Sequence, residues 1–267
     1  MSTVEAPTKA RAQIKERTLR RDNWRIYPIT TLVIFTAWVA YATVRAFWGA
    51  AFWVPEYHYL TPFYSPCLNE ICGDAALFGT FLPAETRGWI PFAALSLPFL
   101  LLFRLTCYYY RKAYYRSYWA SPPACAVAEP HKKYTGERRF PLIGQNLHRY
   151  FWWAAVVISL INTWDAILAY HGDGGGVGVG LGSLILTANV ILLWGYTLSC
   201  HSCRHIVGGR LKNFSKHPLR YRFWGLVSKL NERHGQYALI TLGSLVVADA
   251  YVALVASGTI SDLRIIN

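Results

Sequence analysis

Five long apolar segments alternate with polar segments along the chain. They cover roughly residues 27–48, 89–110, 150–170, 181–203 and 237–255. Each is close to the ~20 residues that an α-helix needs to cross the hydrocarbon core of a bilayer. Because backbone N–H and C=O groups find no water in lipid, a helix is the expected state of segments this long. The pattern predicts an all-α protein, an integral membrane bundle of five transmembrane helices.

Lys and Arg are concentrated in alternate connections between these segments. The segments 1–26, 111–147 and 204–233 carry seven, seven and eight of them, whereas 51–88 and 258–267 carry one each. Connections rich in Lys and Arg stay in the cytoplasm. The chain therefore divides into a basic cytoplasmic N-terminal arm, a transmembrane domain over 27–257 with one long outer loop and two basic inner loops, and an outer C-terminal tail. We expect a multi-pass protein of the inner (plasma) membrane.

Composition agrees with this placement and removes one alternative. Hydrophobic residues make up 54% of the chain and charged residues 15%, whereas soluble domains carry about 25% charged residues. A net charge of +13 would point to nucleic acid in a soluble protein, but here the positive-inside pattern accounts for it, so no nucleic-acid partner is expected. The first 25 residues lack the apolar core of a signal peptide.

The predicted outer loop contains two cysteines. The loop is rich in aromatic residues, Pro and Gly, so we expect it to fold over the outer face of the bundle. Cys67 and Cys72 lie on the oxidising side of the membrane, where a disulfide between them is chemically reasonable. Two free thiols are equally compatible with the sequence.

Potential metal ligands gather at one predicted depth, at the inner ends of the apolar segments. They are Cys107, His148, Cys200, His201, Cys203, His205 and His234. Ligating residues at membrane depth are costly and indicate function. In an unbroken helix, Cys200 and Cys203 would lie about 60° apart on one face and the two nearby His on another. One centre would then take one pair and complete itself from His148 and His234.

Several chemistries are compatible with this set. Two Cys and two His form the ligand set of a Rieske-type [2Fe–2S] cluster, and the same set holds zinc. Two His from different helices could instead hold a haem b axially, and packing without any metal is the remaining alternative. Arg149, Tyr150, Trp153 and Arg204 lie at the same level and would suit a quinone headgroup pocket, although such residues are also common at membrane interfaces.

Three runs of sequence are more specific than the hydropathy pattern. They are YHYLTPFYSPCL at Tyr57–Leu68, RLTCYYYRKAYYRS at Arg104–Ser117 and YTLSCHSCRHIVGG at Tyr196–Gly209. With them, the whole chain resembles the single-chain membrane anchor, the cytochrome b-like C subunit, of mycobacterial and other actinobacterial succinate dehydrogenases (respiratory complex II).

The resemblance implies a part in an enzyme complex, a succinate:quinone oxidoreductase in which this chain alone catalyses nothing. Such anchors dock an iron–sulfur subunit on the cytoplasmic face, and that subunit carries an FAD-bearing flavoprotein that oxidises succinate. Electrons pass to a quinone, menaquinone or ubiquinone, at the lipid-embedded anchor. The basic inner loops are then expected to form the docking surface.

The resemblance also bears on the cofactor. Five-helix anchors of the better-known kind hold two b-type haems with four His on membrane helices, and this chain lacks the required inner and outer pairs. A membrane-embedded Rieske-type cluster is therefore favoured, with His148, Cys200, Cys203 and His234 as the first choice of ligands. The alternatives are Cys107 in place of one Cys, or His201 in place of one His.

Three other functions stay open. A haem b-bearing anchor and a cofactor-free anchor are the alternatives within the same complex. A small-solute transporter is the alternative from another class, although the internal repeats and midplane charges typical of transporters are not convincing in this sequence.

Overall fold

The computed structural model describes most of the chain. The described residues are 20–76, 79–80, 93–107, 109, 115–120, 124–127, 142–172 and 174–267. Predictions for the arm before residue 20, for most of the first basic inner loop and for the end of the long outer loop lie outside them.

The described residues are mostly helical. The helices are α1 (Ile26–Trp48), α2 (Ala93–Thr106), α3 (His148–Leu168), α4 (Leu181–Leu198), α5 (His201–Gly208), α6 (Pro218–Glu232) and α7 (His234–Ala256). Shorter helical turns are Pro62–Tyr64, Glu70–Ala75, Tyr115–Trp119 and Leu142–Leu147. Two antiparallel pairs of short strands join β1 (Trp53–Val54) to β2 (Tyr59–Leu60) and β3 (Val179–Gly180) to β4 (Arg264–Ile266).

Four described helices are long and apolar enough to cross a membrane. They are α1, α4, α7 and the continuous helical stretch Ile143–Leu168 that ends as α3. The prediction of a helical membrane bundle is confirmed to this extent. Of the predicted second segment, Ala93–Thr106 is described as the shorter apolar helix α2, and residues 89–92 lie outside the described part. Pro98 inside α2 is tolerated because neighbouring groups in a membrane bundle re-satisfy the freed carbonyl.

The helices pack so that chain neighbours are also neighbours in space. Helix α4 packs against α3 and α7, α3 against α2, and α1 against α2 and α7. The ends of α2 and α4 meet the beginnings of α3 and α7 at one end of the bundle, which we call the Cys/His end. Residues 51–76 and the C-terminal tail cover the opposite end, which we call the loop end.

The apolar pattern predicts that the fourth helix ends at residue 203. In the structure it ends at Leu198. Cys200 is extended, with φ −64° and ψ 145°, and it caps the new helix α5 by accepting a hydrogen bond from the N–H of Ser202. The Ser199 hydroxyl donates to the carbonyl of Tyr196, and Asn231 donates to the carbonyl of Ser199. Local side-chain bonds of this kind compete with the helical ladder. The two cysteines of the CxxC run therefore do not share a face of one helix.

The second basic inner loop contains helix α6. Pro218 occupies its first turn, where the absence of an N–H costs nothing. Four large apolar side chains of α6 are more than half exposed: Leu219, Tyr221, Phe223 and Leu226.

The loop end is held by buried charge pairs and by the tail. Arg45 of α1 forms a two-pronged ion pair with Asp249 of α7, with N–O distances of 2.6 and 3.2 Å. Cys67 and Cys72 are joined by a disulfide. The connection between α3 and α4 ends in strand β3, which pairs with the tail.

The tail is anchored through one carboxylate. Asp262 accepts hydrogen bonds from the hydroxyls of Tyr59 and Tyr251 at 2.8 and 2.7 Å, and from the N–H of Gly182 at 3.0 Å. Burial, and then the bond to Asp262, raises the pKa of Tyr59 to about 12. The tail is therefore part of the folded domain.

Candidate functional site

Two histidines and two cysteines meet at the Cys/His end. His148 and His234 are the first residues of α3 and α7, while Cys107 directly follows α2 and Cys200 lies two residues after the end of α4. Both cysteines are 1% exposed. Because the helices alternate in direction, the ends of two helices and the beginnings of two others bring these side chains to one level.

Each imidazole faces one thiol. Nε2 of His148 lies 3.1 Å from Sγ of Cys200, and Nε2 of His234 lies 3.1 Å from Sγ of Cys107. The four potential ligand atoms therefore form two close pairs at the ends of four helices.

The other nitrogen of each imidazole faces a hydroxyl. Nδ1 of His148 lies 2.9 Å from Oγ1 of Thr106, and Nδ1 of His234 lies 2.8 Å from Oγ of Ser199. Since Thr106 precedes Cys107 and Ser199 precedes Cys200 in the chain, these contacts close a circuit. We call its six residues the Cys/His ring: Thr106, Cys107, His148, Ser199, Cys200 and His234.

The ring is built from a five-residue pattern that occurs twice. Phe103 to Cys107 reads FRLTC and Tyr196 to Cys200 reads YTLSC, an aromatic residue followed by a hydroxyl residue and a cysteine at the same spacing. The aromatic ring of the first pattern stacks on His148 at 5.2 Å, and that of the second stacks on His234 at 5.1 Å. Each pattern gives its ring and hydroxyl to one His and its thiol to the other.

This repeat is the signal that selects Cys107. Sequence reasoning weighed Cys107 only as a substitute, because it compared depth and helical face rather than the residues before each cysteine. The first-choice ligand Cys203 lies in α5, where it is buried as a free thiol. Among the described residues, none of the contacts that close the ring involves its side chain.

The donors of the ring can be compared with the ligand sets of known metal centres. In the described part of the chain, no three His, Cys, Asp or Glu side chains converge closely enough to hold one metal ion. A closed zinc site needs four ligands on one centre. A [2Fe–2S] cluster of the Rieske type takes two protein ligands on each iron, from two Cys and two His in total. The donor set of the ring therefore fits such a cluster.

A buried arginine lies next to the ring. Arg104 is 2% exposed and donates to the carbonyl of Ala238 and to the hydroxyl of Thr241, each at 3.0 Å. Its guanidinium also lies over the ring of Tyr196, 4.7 Å from the centroid. The same tyrosine thus stacks on His234 and contacts a cation.

A cavity of about 200 Å³ opens beside α5 on the same end of the bundle. It is lined by His201, Arg204, His205, Gly208, Gly209 and Trp224. Arg204 donates to the hydroxyl of Ser228 at 3.0 Å and lies over Trp224 at 5.0 Å. A fixed cationic donor and an aromatic wall suit a planar ligand that carries carbonyl oxygens.

The predicted quinone residues are only partly brought together. Arg204 lines the cavity, and Arg149 reaches its edge, with Nη2 3.3 Å from Nδ1 of His205. Tyr150 and Trp153 are 70% and 51% exposed on the surface of α3, where they do not line this cavity. His201, expected as a substitute ligand, lines the cavity instead of entering the ring.

Comparison with known proteins identifies the family. The sequence matches the family model described as actinobacterial succinate dehydrogenase subunit SdhC over residues 26–258. The chain belongs to this family. A chain of the solved Mycobacterium smegmatis Sdh1 complex in the apo form is similar to it, at 63% identity and a TM-score of 0.90, over 100% of both chains. No curated protein matches the sequence.

Membership of the SdhC family defines the role at a coarse level. The chain is the membrane anchor subunit of an actinobacterial succinate dehydrogenase, a multi-pass protein of the inner membrane and a part of a succinate:quinone oxidoreductase. The predicted family and the predicted membrane location are confirmed.

Another pair of histidines lies at the loop end. The rings of His58 and His171 are stacked, with centroids 4.0 Å apart and planes 6° from parallel. Axial haem ligands point a nitrogen at the iron from opposite sides. In this arrangement the ring faces meet instead, so the pair is not preorganised for a second haem.

Proposed function

We propose that this chain conducts electrons from an iron–sulfur subunit to a quinone through a Rieske-type [2Fe–2S] cluster held by Cys107, Cys200, His148 and His234. The single observation that carries the proposal is the Cys/His ring, which gathers two buried thiols and two imidazoles from four helices. When bound, such a cluster supplies a one-electron carrier whose His ligation gives a higher potential than all-Cys ligation.

The residues of the ring would prepare the site in three ways. The short Cys–His contacts bring the ligand atoms together before any metal arrives, which lowers the ordering cost of binding. Burial keeps water from the thiols. The stacked rings of Phe103 and Tyr196 limit rotation of the two imidazoles.

We further propose that five helices, including α2, cross the membrane, with the Cys/His end towards the cytoplasm. The positive-inside pattern supports this orientation. It also places α6 on the cytoplasmic face, where its exposed apolar residues and the basic Arg222 and Lys229 offer a docking surface for the iron–sulfur subunit. The FAD-bearing flavoprotein would join the complex through that subunit.

The cavity beside α5 is our proposed binding site for the quinone headgroup. Arg204, held in place by Ser228 and Trp224, would donate a hydrogen bond to a quinone carbonyl. Because the guanidinium of Arg149 can only donate, Nδ1 of His205 accepts from it, and Nε2 of His205 carries the ring proton. That N–H is a second donor at the rim of the cavity.

The decisive experiment compares cysteine variants of the intact purified complex. We expect Cys107→Ser and Cys200→Ser to lose the low-temperature EPR signal of a mixed Cys/His cluster, together with the matching iron and acid-labile sulfide. Cys203→Ser is the matched control, since it removes another buried thiol, outside the ring.

Other outcomes would select the alternatives. Loss of the signal in Cys203→Ser with retention in Cys107→Ser would contradict our ligand assignment. A b-haem absorption band in the reduced wild-type complex would support a haem b-bearing anchor. Absence of both signals would identify a cofactor-free anchor.

A further inference from the structure

We propose that Thr106 and Ser199 are positioning residues that fix the tautomer and the orientation of His148 and His234. In this arrangement each imidazole carries its proton on Nδ1 and donates it to a hydroxyl. The lone pair of its Nε2 then points towards the sulfur that it faces. The assignment concerns the residues of the chain itself, while its effect on a bound cluster rests on the proposed function.

The proton count of the two hydroxyls carries the inference. Oγ1 of Thr106 donates to the carbonyl of Leu102 at 2.7 Å, and Oγ of Ser199 donates to the carbonyl of Tyr196 at 3.0 Å. A hydroxyl has one proton to donate and two lone pairs that accept. With that proton engaged, each hydroxyl accepts from the imidazole, so Nδ1 of His148 and of His234 must be the donor.

Helical Ser and Thr often donate to a carbonyl three or four residues earlier without any further role. The hydroxyls of Thr106 and Ser199 differ because each also lies within 2.9 Å of an imidazole nitrogen. The two come from different helices and sit at the same position of the repeated pattern, one residue before a ring cysteine. This double occurrence separates a built arrangement from ordinary helix chemistry.

The consequence for a bound metal follows from the second nitrogen. An acceptor on the remote N–H of a metal-bound histidine fixes the ring and makes the imidazole a stronger donor to the metal. A stronger donor stabilises the oxidised cluster, so loss of the acceptor shifts the equilibrium towards the reduced form. Both hydroxyls are therefore expected to lower the reduction potential of the cluster.

The first test measures the tautomer without reference to activity. In the complex with ¹⁵N-labelled histidine, solid-state NMR distinguishes a protonated Nδ1 from a protonated Nε2. The signals of His148 and His234 are assigned by their loss in the His148→Ala and His234→Ala variants. We expect both residues with the proton on Nδ1. A proton on Nε2 in either residue would overturn the proposal, whatever cofactor is bound.

The second test measures the reduction potential of the cluster in the intact complex. We expect Thr106→Val and Ser199→Ala each to shift the reduction equilibrium by roughly tenfold towards the reduced form, which is about +59 mV for one electron. Thr106→Ser and Ser199→Thr keep the hydroxyl and are expected to restore the wild-type potential.

The two proposals fail in different ways. An unchanged reduction potential in Thr106→Val and Ser199→Ala would overturn the positioning role and leave the ligand assignment intact. A cluster signal that survives Cys107→Ser and Cys200→Ser would overturn the ligand assignment, and the NMR test would still decide the tautomer.

Discussion

At the loop end of the bundle, buried carboxylates accept hydrogen bonds from nearby donors. Asp249 pairs with Arg45, Asp262 receives two tyrosine hydroxyls, and Asp165 receives the hydroxyl of Ser65 at 2.5 Å. The Cys/His ring at the other end contains no carboxylate and is held by thiols, imidazoles and hydroxyls. Charged groups that are already paired have few interactions left to offer a ligand. Thiols and imidazoles, by contrast, can still bind a metal ion more strongly than they bind each other. One end therefore serves stability, and the other offers groups that can still take up a ligand.

The largest expected effect breaks the charge pair at the loop end. Asp249→Asn leaves the buried Arg45 without its counter-charge, which costs about 3–5 kcal/mol. The thermal midpoint of the detergent-solubilised complex should fall strongly. Asp22→Asn, which opens an exposed ion pair with Arg20, is the control and should change little. Equal midpoints for the two variants would contradict the distinction.

The next effect tests packing at the loop end. In Gly182→Ala the new methyl group would collide with the ring of Tyr59, and overpacking of this kind costs about 1–3 kcal/mol. Gly243→Ala is the matched change at a helical glycine with open space around it. We expect the thermal midpoint to fall in the first variant only, and a fall in both would show that the contact is not responsible.

A smaller effect concerns quinone binding at the Cys/His end. Arg204→Met removes the cationic donor of the cavity, and we expect the KM for quinone to rise about tenfold, which corresponds to ~1.4 kcal/mol. Succinate oxidation with a dye that accepts electrons from the soluble subunits should not change. Arg210→Met removes an exposed arginine that does not line the cavity. An equal rise in that variant would count against the site.

The smallest effect is a dependence on pH. The raised pKa of Tyr59 means that its neutral form is favoured by folding. The resulting stability is fully present below pH 10, the ordinary pKa of tyrosine, and is lost as the pH rises towards 12. Tyr59→Phe should lower the thermal midpoint slightly at pH 8 and flatten its decline above pH 10. An identical alkaline decline in both proteins would remove this contribution.

The hydropathy pattern predicted the bundle well because membrane burial acts on each segment separately. The long helices α1, α3, α4 and α7 lie within a few residues of the predicted segments. Helix α6 was missed, since the basic residues around it dominated the pattern and its apolar residues do not form a long run. Its exposed apolar face becomes visible only when the packing of the neighbouring helices is known.

The candidate site was predicted only in part. His148, His234 and Cys200 follow from depth alone, because each lies at the boundary of an apolar segment. The choice between Cys107 and Cys203 depends on the break after Leu198, which is caused by side-chain bonds of Ser199 and Cys200. No hydropathy pattern reports such a break.

The way the ring divides between the two halves of the chain has a consequence for biogenesis. Each hydroxyl–imidazole contact lies within one helical hairpin, α2 with α3 or α4 with α7. Each thiol–imidazole contact joins one hairpin to the other. Neither hairpin alone offers more than one Cys and one His of the ring. Insertion of the proposed cluster must therefore wait until both hairpins have been inserted and have met, so a loaded anchor is a correctly assembled one.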